Sequence, residues 1–336
     1  MNNNKYLISV TPSTKQKKYP DPKLHTKDLL EIVLRQKGLN ITLGEVLKGG
    51  TVSQVYEAKL DNKSVVVKHT EDLKPFDPTE FAINKEGHNV DTKILELLKD
   101  SKVKVPKVKY HFRDITTTIM EDLRIEGFEL LINQILNKKL LLVSAKNVGG
   151  ALASLSKEMK KFKKFTTNES TEQSIYERGL ELRLVYPNSQ EQYLELESTF
   201  ISQNKHCVWP DGHPKNIFVT KEGNVAFIDF GRSIWGDQSF VLPNFLAHIV
   251  IYSLAGFIAS DTVKQYIKDC IRSYKKYEMV DEDLLCRYLA MEVIHRMAGK
   301  WLQGVESKEQ KTALYNFGLT VFDKKITRIL DLLSLL

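Results

Sequence analysis

The segment W-P-D-G-H-P-K-N-I-F-V, from Trp209 to Val219, decides the fold when it is read together with I-D-F-G, from Ile228 to Gly231. The short apolar runs 217–219 and 225–228 have the composition of β-strands, and the polar stretch 220–224 between them has that of a turn. The sequence therefore predicts a β-hairpin that is entered through a polar loop and ends on an acidic residue.

Three oxygen-bearing side chains should meet at one rim of this hairpin. Asp211 and Asn216 lie five positions apart in the entering loop, and Asp229 ends the second strand. A carboxylate can orient a hydroxyl nucleophile, and an amide with a second carboxylate can hold Mg²⁺, so this group suits phosphoryl transfer. The D-x-x-x-x-N spacing followed by D-F-G also matches the catalytic half of the kinase signature. The alternative is an ordinary hairpin behind a polar loop.

Size and composition are those of a globular protein. The chain has 336 residues, of which 42% are hydrophobic and 27% charged. No apolar run approaches the roughly 18 residues of a membrane span, and the start M-N-N-N-K-Y has no apolar run of signal-peptide length. Three widely spaced cysteines without metal-ligand spacing predict reduced thiols and a cytoplasmic location.

The positive charge is concentrated near the N-terminus. Of the net charge of +7, residues 1–24 carry +4, because they hold five lysines and one aspartate. We expect this segment to be a flexible basic tail. A second basic cluster, 156–165, has apolar residues at helical spacing and is interpreted as a helix with a solvated face. No nucleic-acid partner is expected; an RNA-binding protein is an alternative that only the charge suggests.

A β-rich half precedes a helical half. After a helix over 26–36, the order β-β-β-α-β-β is predicted, with strands at 41–47, 53–60, 64–69, 108–112 and 116–120 and a helix over 79–99. Further helices are predicted over 127–137, 144–165, 170–184, 189–204, 243–259, 261–276, 281–302 and 308–335. This succession predicts an α+β fold of two lobes, 25–123 and 124–336.

The first lobe contains candidate nucleotide-binding residues. Gly49 and Gly50, followed by Ser53, lie between the first two predicted strands, where glycine lets backbone amides approach phosphate oxygens. A tight hairpin explains the two glycines equally well. Lys68 ends the predicted strand V-V-V-K and can reach the α- and β-phosphates of ATP as a point charge. A solvent-facing edge lysine is the alternative.

Two further segments complete the predicted nucleotide site. A phosphate-binding lysine of this kind has an acidic partner on the following helix; Asp91 is preferred and Glu86 is the competitor. The strand T-T-I-M runs into a linker, where the backbone at Glu121 and Leu123 can offer N–H and C=O groups to an adenine edge. The acidic pair at 121–122 would also suit the first turn of a helix, and the two interpretations are compatible.

Together these segments resemble the aminoglycoside phosphotransferase/choline kinase-like superfamily of small-molecule kinases, a branch of the protein-kinase-like fold. The resemblance runs from about 43 to 246 and rests on the glycine pair, Lys68, V-P-K-V, M-E-D-L, D-G-H-P-K-N and I-D-F-G. It implies a two-lobed kinase that uses ATP and Mg²⁺ to phosphorylate a hydroxyl of a small molecule of aminoglycoside, sugar or amino-alcohol type. By position in the motifs, it implies that Asp211 is the catalytic base, that Asn216 and Asp229 are Mg²⁺ ligands, and that Lys68 binds phosphate.

The chain departs from the family pattern at three places. Trp209 and Pro210 stand where the family often has H-G before its catalytic aspartate, so the support of the loop must differ. Asp91 is one methylene shorter than the usual glutamate, which is expected to lengthen or water-bridge its pair with Lys68. Asn244 or Phe245 replaces the aspartate that begins D-L-A in many relatives.

The substrate side is less determined. V-P-K-V, M-E-D-L and E-V-I-H-R-M-A-G look similar to segments of methylthioribose kinase, which is the alternative substrate class; against it, that enzyme usually lacks the asparagine that stands here as Asn216 and has D-P-E for D-F-G. A kinase-like module with weak catalysis is a further alternative. Arg232 and Arg296 are candidate substrate residues. Arg296 could pair with Glu292 four residues earlier, which is the preferred interpretation, or with an anionic substrate group.

Overall fold

The structure is a computed structural model that describes residues 23–47, 53–70, 85–140, 142–162, 190–202, 205–298, 305 and 307–336. Three sequence predictions lie largely or wholly outside these residues: the tail over 1–24, the glycine pair Gly49 and Gly50, and the helix over 170–184. Among the described residues, no helix combines the length and the apolar character that crossing a membrane requires.

A five-stranded antiparallel sheet forms the centre of the first half, in the order β1-β2-β3-β5-β4. Its strands are β1 Ile41–Val46, β2 Gln54–Leu60, β3 Lys63–His69, β4 Val108–Phe112 and β5 Thr117–Glu121. A two-residue turn joins β2 to β3, and both of its residues, Asp61 and Asn62, have positive φ. Aspartate and asparagine tolerate this conformation, which suits a tight hairpin.

Two helices flank the sheet. Helix α1, Lys23–Gln36, buries Leu30 and Leu34 against the apolar face of β1, β2 and β3. Helix α2, Lys85–Leu98, buries Ile94, Leu95 and Leu98 in the main core. The apolar residues of both helices recur three to four positions apart, so each helix presents one side to the core and its polar residues elsewhere.

The second half is mostly helical. The described helices are α3 Leu131–Leu136, α4 Leu142–Met159, α5 Gln190–Ser202, α6 Val241–Leu254, α7 Ser260–Tyr274, α8 Glu282–Ala298, α9 Lys308–Asp323 and α10 Ile329–Ser334. Helix α6 is buried along 241–252 and is the central helix of this half. The helix predicted over 308–335 is wrong as a single element, because the chain turns between α9 and α10, where Lys325 has a φ of 50°.

Short strands interrupt these helices. The predicted hairpin is present as β8, Ile217–Val219, and β9, Val225–Phe227, and a two-residue strand β6, Glu129–Leu130, extends it. Strands β7, Lys205–Val208, and β10, Ile234–Asp237, pair with each other and were not predicted. A β-rich lobe followed by a mostly helical lobe confirms the predicted α+β, two-lobed fold.

Candidate active site

The loop that carries Asp211 follows β7 and is held by hydrogen bonds within the loop and by a hydrogen bond to helix α6. Two turn hydrogen bonds shape it: the His213 N–H donates to the Asp211 carbonyl at 2.8 Å, and the Asn216 N–H donates to the His213 carbonyl at 2.8 Å. On α6, the buried Asn244 accepts the Gly212 N–H at its Oδ1 over 2.8 Å. Asn244 therefore supports the loop, whereas Phe245 is a core residue.

Asn216 turns its amide nitrogen towards Asp211. Its Nδ2 lies 3.0 Å from the Asp211 carbonyl oxygen and 3.4 Å from Asp211 Oδ2. This orientation leaves the Asn216 Oδ1 as the atom that can accept a bond or bind a cation. The Ile228 N–H donates to the Asn216 carbonyl at 3.1 Å, which places the next residue, Asp229, beside Asn216. The Asp211 and Asn216 side chains are therefore in contact, and the backbone bond between Ile228 and Asn216 brings the segment of Asp229 next to them.

Asp229 follows β9 in an uncommon backbone conformation with a φ of 61°. Trp209 supports it, because the indole Nε1 donates to the Asp229 carbonyl at 2.9 Å. The fully buried indole also packs against the Phe230 ring, with the ring centroids 5.4 Å apart. A non-glycine residue with positive φ needs such surroundings to keep it in place. Trp209 is thus the support that stands where the family pattern has H-G.

Lys68 is bound by two carboxylates at the cleft. Its Nζ lies 2.6 Å from Asp91 Oδ2 and 2.9 Å from Asp229 Oδ1. The other oxygen of Asp91 accepts the Phe230 N–H at 2.7 Å, so one buried carboxylate joins the lysine to the D-F-G segment. The side chain of the competitor, Glu86, lies outside the described residues. The expectation of a lengthened or water-bridged Lys68–Asp91 pair is wrong, since the contact is direct.

The close approach of α2 explains how the short aspartate reaches Lys68. Gly87 on α2 packs directly on Gly231, and a Cβ added at either glycine would lie 2.9 Å from the carbonyl oxygen of the other. Only glycine permits two backbones to come this close. The helix therefore sits nearer to the D-F-G segment than a residue with a side chain would allow, which compensates for the missing methylene of Asp91.

The charge of Lys68 is maintained by its partners. Burial lowers the pKa of the Lys68 ammonium, but the negative charges of Asp229 and Asp91 outweigh this effect and raise the pKa above its ordinary value. Lys68 is not fully enclosed, since 11% of its side chain is exposed. A permanently charged, partly accessible lysine is suited to binding a phosphate group.

The predicted linker after β5 is a capped turn. The Asp122 Oδ1 accepts the Arg124 N–H at 3.1 Å and begins a 3₁₀ helix over 123–126. The Glu121 N–H donates to the Lys107 carbonyl at 2.9 Å, so this donor is already used within the sheet edge. Leu123 is buried. The segment M-E-D-L is therefore extended up to Glu121 and begins a helical turn at Asp122, so both predicted conformations are present, one after the other.

A hydrogen-bonded network that was not predicted joins His88 of α2 to hydroxyl side chains at the ends of the sheet strands. Ser53 at the start of β2 bonds to Thr70 at 2.8 Å, and Thr70 bonds to the His88 Nδ1 at 3.0 Å. The His88 Nε2 bonds to Thr118 at 2.8 Å. Burial, followed by the charge of Lys68, lowers the pKa of His88 to about 3, so the ring is neutral. The spacing H-N-V-D, which places His88 one turn before Asp91, is the signal that could have indicated it.

On the other side of Asp211, α8 contributes Arg296. Its Nε donates to Glu292 Oε1 at 2.6 Å, which is the preferred intrahelical pair, and both side chains are buried. Its Nη2 lies 3.5 Å from Asp211 Oδ1, a contact that the sequence did not indicate. The other substrate candidate, Arg232, follows the D-F-G segment directly and is partly exposed.

A histidine of the loop also faces Asp211. The His213 Nε2 lies 3.6 Å from Asp211 Oδ1, and its ring packs edge-on against His248 of α6 with the centroids 5.6 Å apart. Burial lowers the pKa of His213, an effect that Asp211 only partly opposes, so the ring is neutral. His213 thus contributes packing and polarity, and Arg296 contributes positive charge.

Comparisons with known proteins establish the fold. No family model matches the chain, and no curated protein matches it either. Among solved structures, it is similar to a choline kinase from Cryptosporidium parvum (TM-score 0.56, 14% identity, 91% of this chain and 99% of that one). It is also similar to the choline kinase LicA from Streptococcus pneumoniae (TM-score 0.55, 15% identity, 89% and 99%).

A third similar structure is an amicoumacin kinase in complex with AMP-PNP, Ca²⁺ and Ami (TM-score 0.57, 12% identity, 91% and 97%). The likeness spans nearly the whole length of each of these proteins. At such low identity, it shows a shared fold, and the chemistry of this chain has to be argued from its own residues.

Proposed function

We propose that this chain is an ATP- and Mg²⁺-dependent phosphotransferase that moves the γ-phosphate to a hydroxyl of a small molecule. The observation that supports the proposal is that Asn216 contacts Asp211, that a backbone bond joins Asn216 to the residue before Asp229, and that Lys68 is bound to both Asp91 and Asp229. Phosphoryl transfer requires positioning and charge stabilisation more than covalent chemistry, and these groups supply both.

The nucleotide is assigned to the cleft at Lys68. The lysine would bind phosphate oxygens, with Asp91 holding its ammonium group in place. Gly49, Gly50 and Ser53 would lie over the phosphates, and the backbone at 121–123, except for the Glu121 N–H that already bonds to Lys107, would meet the adenine edge. In support, the amicoumacin kinase of the same fold is solved with the ATP analogue AMP-PNP and a divalent cation.

Asn216 and Asp229 are assigned as the Mg²⁺ ligands. The donor atoms fit a hard cation, because one is an amide oxygen and the other a carboxylate, of which 44% of the side chain is exposed. Among the described residues, no cluster of three or more histidine, cysteine, aspartate or glutamate side chains could hold a metal. Mg²⁺ keeps several waters and takes phosphate oxygens as ligands, so two protein ligands are enough to neutralise charge on the nucleotide.

Asp211 is assigned as the base. The acceptor hydroxyl oxygen would attack the γ-phosphorus while the bond from that phosphorus to the β–γ bridging oxygen breaks, and ADP would leave. The hydroxyl proton would pass to the Asp211 carboxylate. The side chain is 13% exposed and hence within reach of an acceptor in the cleft. Its orientation is limited by Asn216 on Oδ2 and by Arg296 on Oδ1.

The proposed acceptor class is supported by the fold neighbours, which include choline kinases and an aminoglycoside phosphotransferase. An aminoglycoside, a sugar or an amino alcohol is therefore the proposed acceptor, with Arg232 and Arg296 on the substrate side. A methylthioribose-type sugar is the alternative within this class. A cytoplasmic location agrees with the use of ATP and with three cysteines that are buried as free thiols.

The test is Asp211→Asn, assayed with a panel of aminoglycosides, sugars and amino alcohols by ADP release and by the mass shift of the acceptor. We expect transfer to fall by about 10²-fold or more, with ATP affinity nearly unchanged because Asp211 does not hold the nucleotide. Asp114→Asn, at an exposed carboxylate that pairs with Lys37, is the matched control. Near wild-type turnover of Asp211→Asn would remove Asp211 from the base role. ATP binding without transfer by the wild type would favour the weakly catalytic module.

A further inference from the structure

The contacts of Arg296 distinguish it from an ordinary substrate-binding arginine. The guanidinium lies between two carboxylates that are far apart in the chain, Glu292 on its own helix and Asp211 on the catalytic loop. Only 9% of the Arg296 side chain is exposed and none of Glu292. Little of this arginine is therefore left to meet a substrate.

The two contacts differ in strength. The Arg296 Nε to Glu292 Oε1 distance of 2.6 Å is that of a tight charge-assisted hydrogen bond, and it lies within one helix turn. The Arg296 Nη2 to Asp211 Oδ1 distance of 3.5 Å is a looser ion-pair contact. Glu292 thus fixes the guanidinium, and the guanidinium contacts one oxygen of the Asp211 carboxylate only loosely. Such a contact limits the rotation of a carboxylate while leaving it able to accept a proton.

Burial explains why the pair must stay together. A buried arginine without a partner is strongly destabilising, whereas a compensated one is tolerated. Burial lowers the pKa of Arg296, but the charges of Glu292 and Asp211 outweigh it, so the guanidinium stays charged. The groups that contact Asp211 include the neutral ring of His213, the amide of Asn216 and the cation of Arg296.

We infer that Arg296, held by Glu292, is a positioning residue that fixes the Asp211 carboxylate in the orientation needed for transfer. The inference rests on the proposed function and assigns to the substrate candidate a task that acts through Asp211. Helix α8 then connects the core of the second lobe to the reacting carboxylate. Because the effect is on orientation, it should appear in kcat and should not depend on which acceptor is used.

The experiment compares Arg296→Met, Arg296→Lys and Glu292→Gln in the full-length protein, with Asp211→Asn as the background for a double variant. The readouts are kcat and KM for ATP and for the acceptor that the panel identifies, ATP hydrolysis without acceptor, and circular dichroism. Arg287→Met is the matched control, since it breaks another arginine–carboxylate pair four residues apart on α8, with Asp283 at 2.9 Å, together with a pair to Glu195 on α5 at 3.1 Å, and neither carboxylate belongs to the Asp211 loop.

We expect Arg296→Met to lower kcat by roughly 10- to 100-fold, as a misplaced reacting group does, with both KM values within about threefold. Arg296→Lys should recover most of this loss because it restores the charge. In the Asp211→Asn background, Arg296→Met should change the residual rate by less than about twofold, since its effect passes through Asp211. Arg287→Met should keep kcat within about twofold of wild type.

Other outcomes would overturn the inference. A raised acceptor KM with unchanged kcat would make Arg296 a substrate-binding residue. Full additivity with Asp211→Asn would show that the two residues act separately, and an equal loss in Arg287→Met would reduce the effect to helix stability. If Arg296→Met does not fold, a wild-type kcat in Glu292→Gln, which releases the guanidinium from its anchor, contradicts the inference. These failures leave wild-type transfer intact, whereas the absence of any wild-type transfer refutes the proposed function itself.

Discussion

The substitution Gly87→Ala tests whether the close packing of α2 sets the Lys68–Asp91 contact. A Cβ at this position would lie 2.9 Å from the Gly231 carbonyl oxygen, whereas ordinary contacts begin near 3.4 Å. The obstacle is a backbone oxygen, so it cannot turn aside as a side chain would. The helix and the D-F-G segment must therefore separate by about half an ångström.

The magnitude follows from two opposing effects. Overpacking of this kind costs about 1–3 kcal/mol, and replacing a helical glycine by alanine contributes about 0.5–1 kcal/mol in the other direction. We expect a net loss of about 1–2 kcal/mol in the free energy of unfolding. Because Asp91 joins Lys68 to the Phe230 N–H, the separation should also lengthen the 2.6 Å pair. A loss of roughly tenfold in kcat/KM follows, since a 1 Å misplacement can cost about 10²-fold.

The assay is urea unfolding together with steady-state kinetics, and the chain offers a matched control. Gly150 on α4 is also a helical glycine, but a Cβ there would meet side chains alone, the Ser273 Oγ at 3.3 Å, which can rotate away, and the Tyr277 ring at an ordinary contact distance of 3.9 Å. Gly150→Ala should be neutral or stabilising. Adding Asp91→Glu to Gly87→Ala should recover part of the lost rate, because the longer side chain spans the wider gap. If Gly87→Ala behaves like Gly150→Ala in both assays, close packing does not set the ion pair.

Two further predictions concern the metal site and the buried histidine. Asp229→Ala should lose both turnover and the Mg²⁺-dependent part of ATP affinity, and calorimetry that shows the same affinity with and without Mg²⁺ in both variant and wild type would contradict the assignment. For His88, the pKa is about 3 in the folded protein and 6.5 ordinarily, so the unfolded chain binds more protons between these values. Stability should be fully present above pH 6.5 and fall as the pH decreases, by about 2 kcal/mol at pH 5. Urea midpoints at pH 7 and pH 5 should show a smaller difference in His88→Gln, and an equal difference would remove His88 as the cause.

The catalytic hairpin could be predicted because its information is local. The turn and its flanking strands consist of consecutive residues, and β8 and β9 begin at the residues where the pattern predicts them. Strand β4, over 108–112, also matches its prediction, since the alternation of side chains along a strand is a short-range signal. The order of strands and helices in the first half follows for the same reason.

Long-range pairing could not be predicted in the same way. Strands β7 and β10 have four residues each, and neither has a strong pattern of its own; they form because they meet each other across an intervening hairpin. The turn between α9 and α10 contains neither glycine nor proline, so the local sequence does not mark it. The contacts Gly87–Gly231 and Arg296–Asp211 join residues more than 80 positions apart, and no single-sequence pattern reports them.

The three departures from the family pattern have a common explanation, because in each case another contact keeps the same geometry. The close approach of Gly87 brings the short Asp91 to Lys68, and the indole N–H of Trp209 holds the Asp229 carbonyl. Asn244 accepts the Gly212 N–H, yet its own Nδ2 is buried and finds no acceptor among the described residues. An unsatisfied buried donor costs about 1–3 kcal/mol. A chain that tolerates this cost to hold the Asp211 loop, while keeping Lys68, Asp91 and Asp229 in direct contact, preserves the arrangement that phosphoryl transfer needs. This favours an active transferase over a binding module, since binding alone would not require the loop to be held.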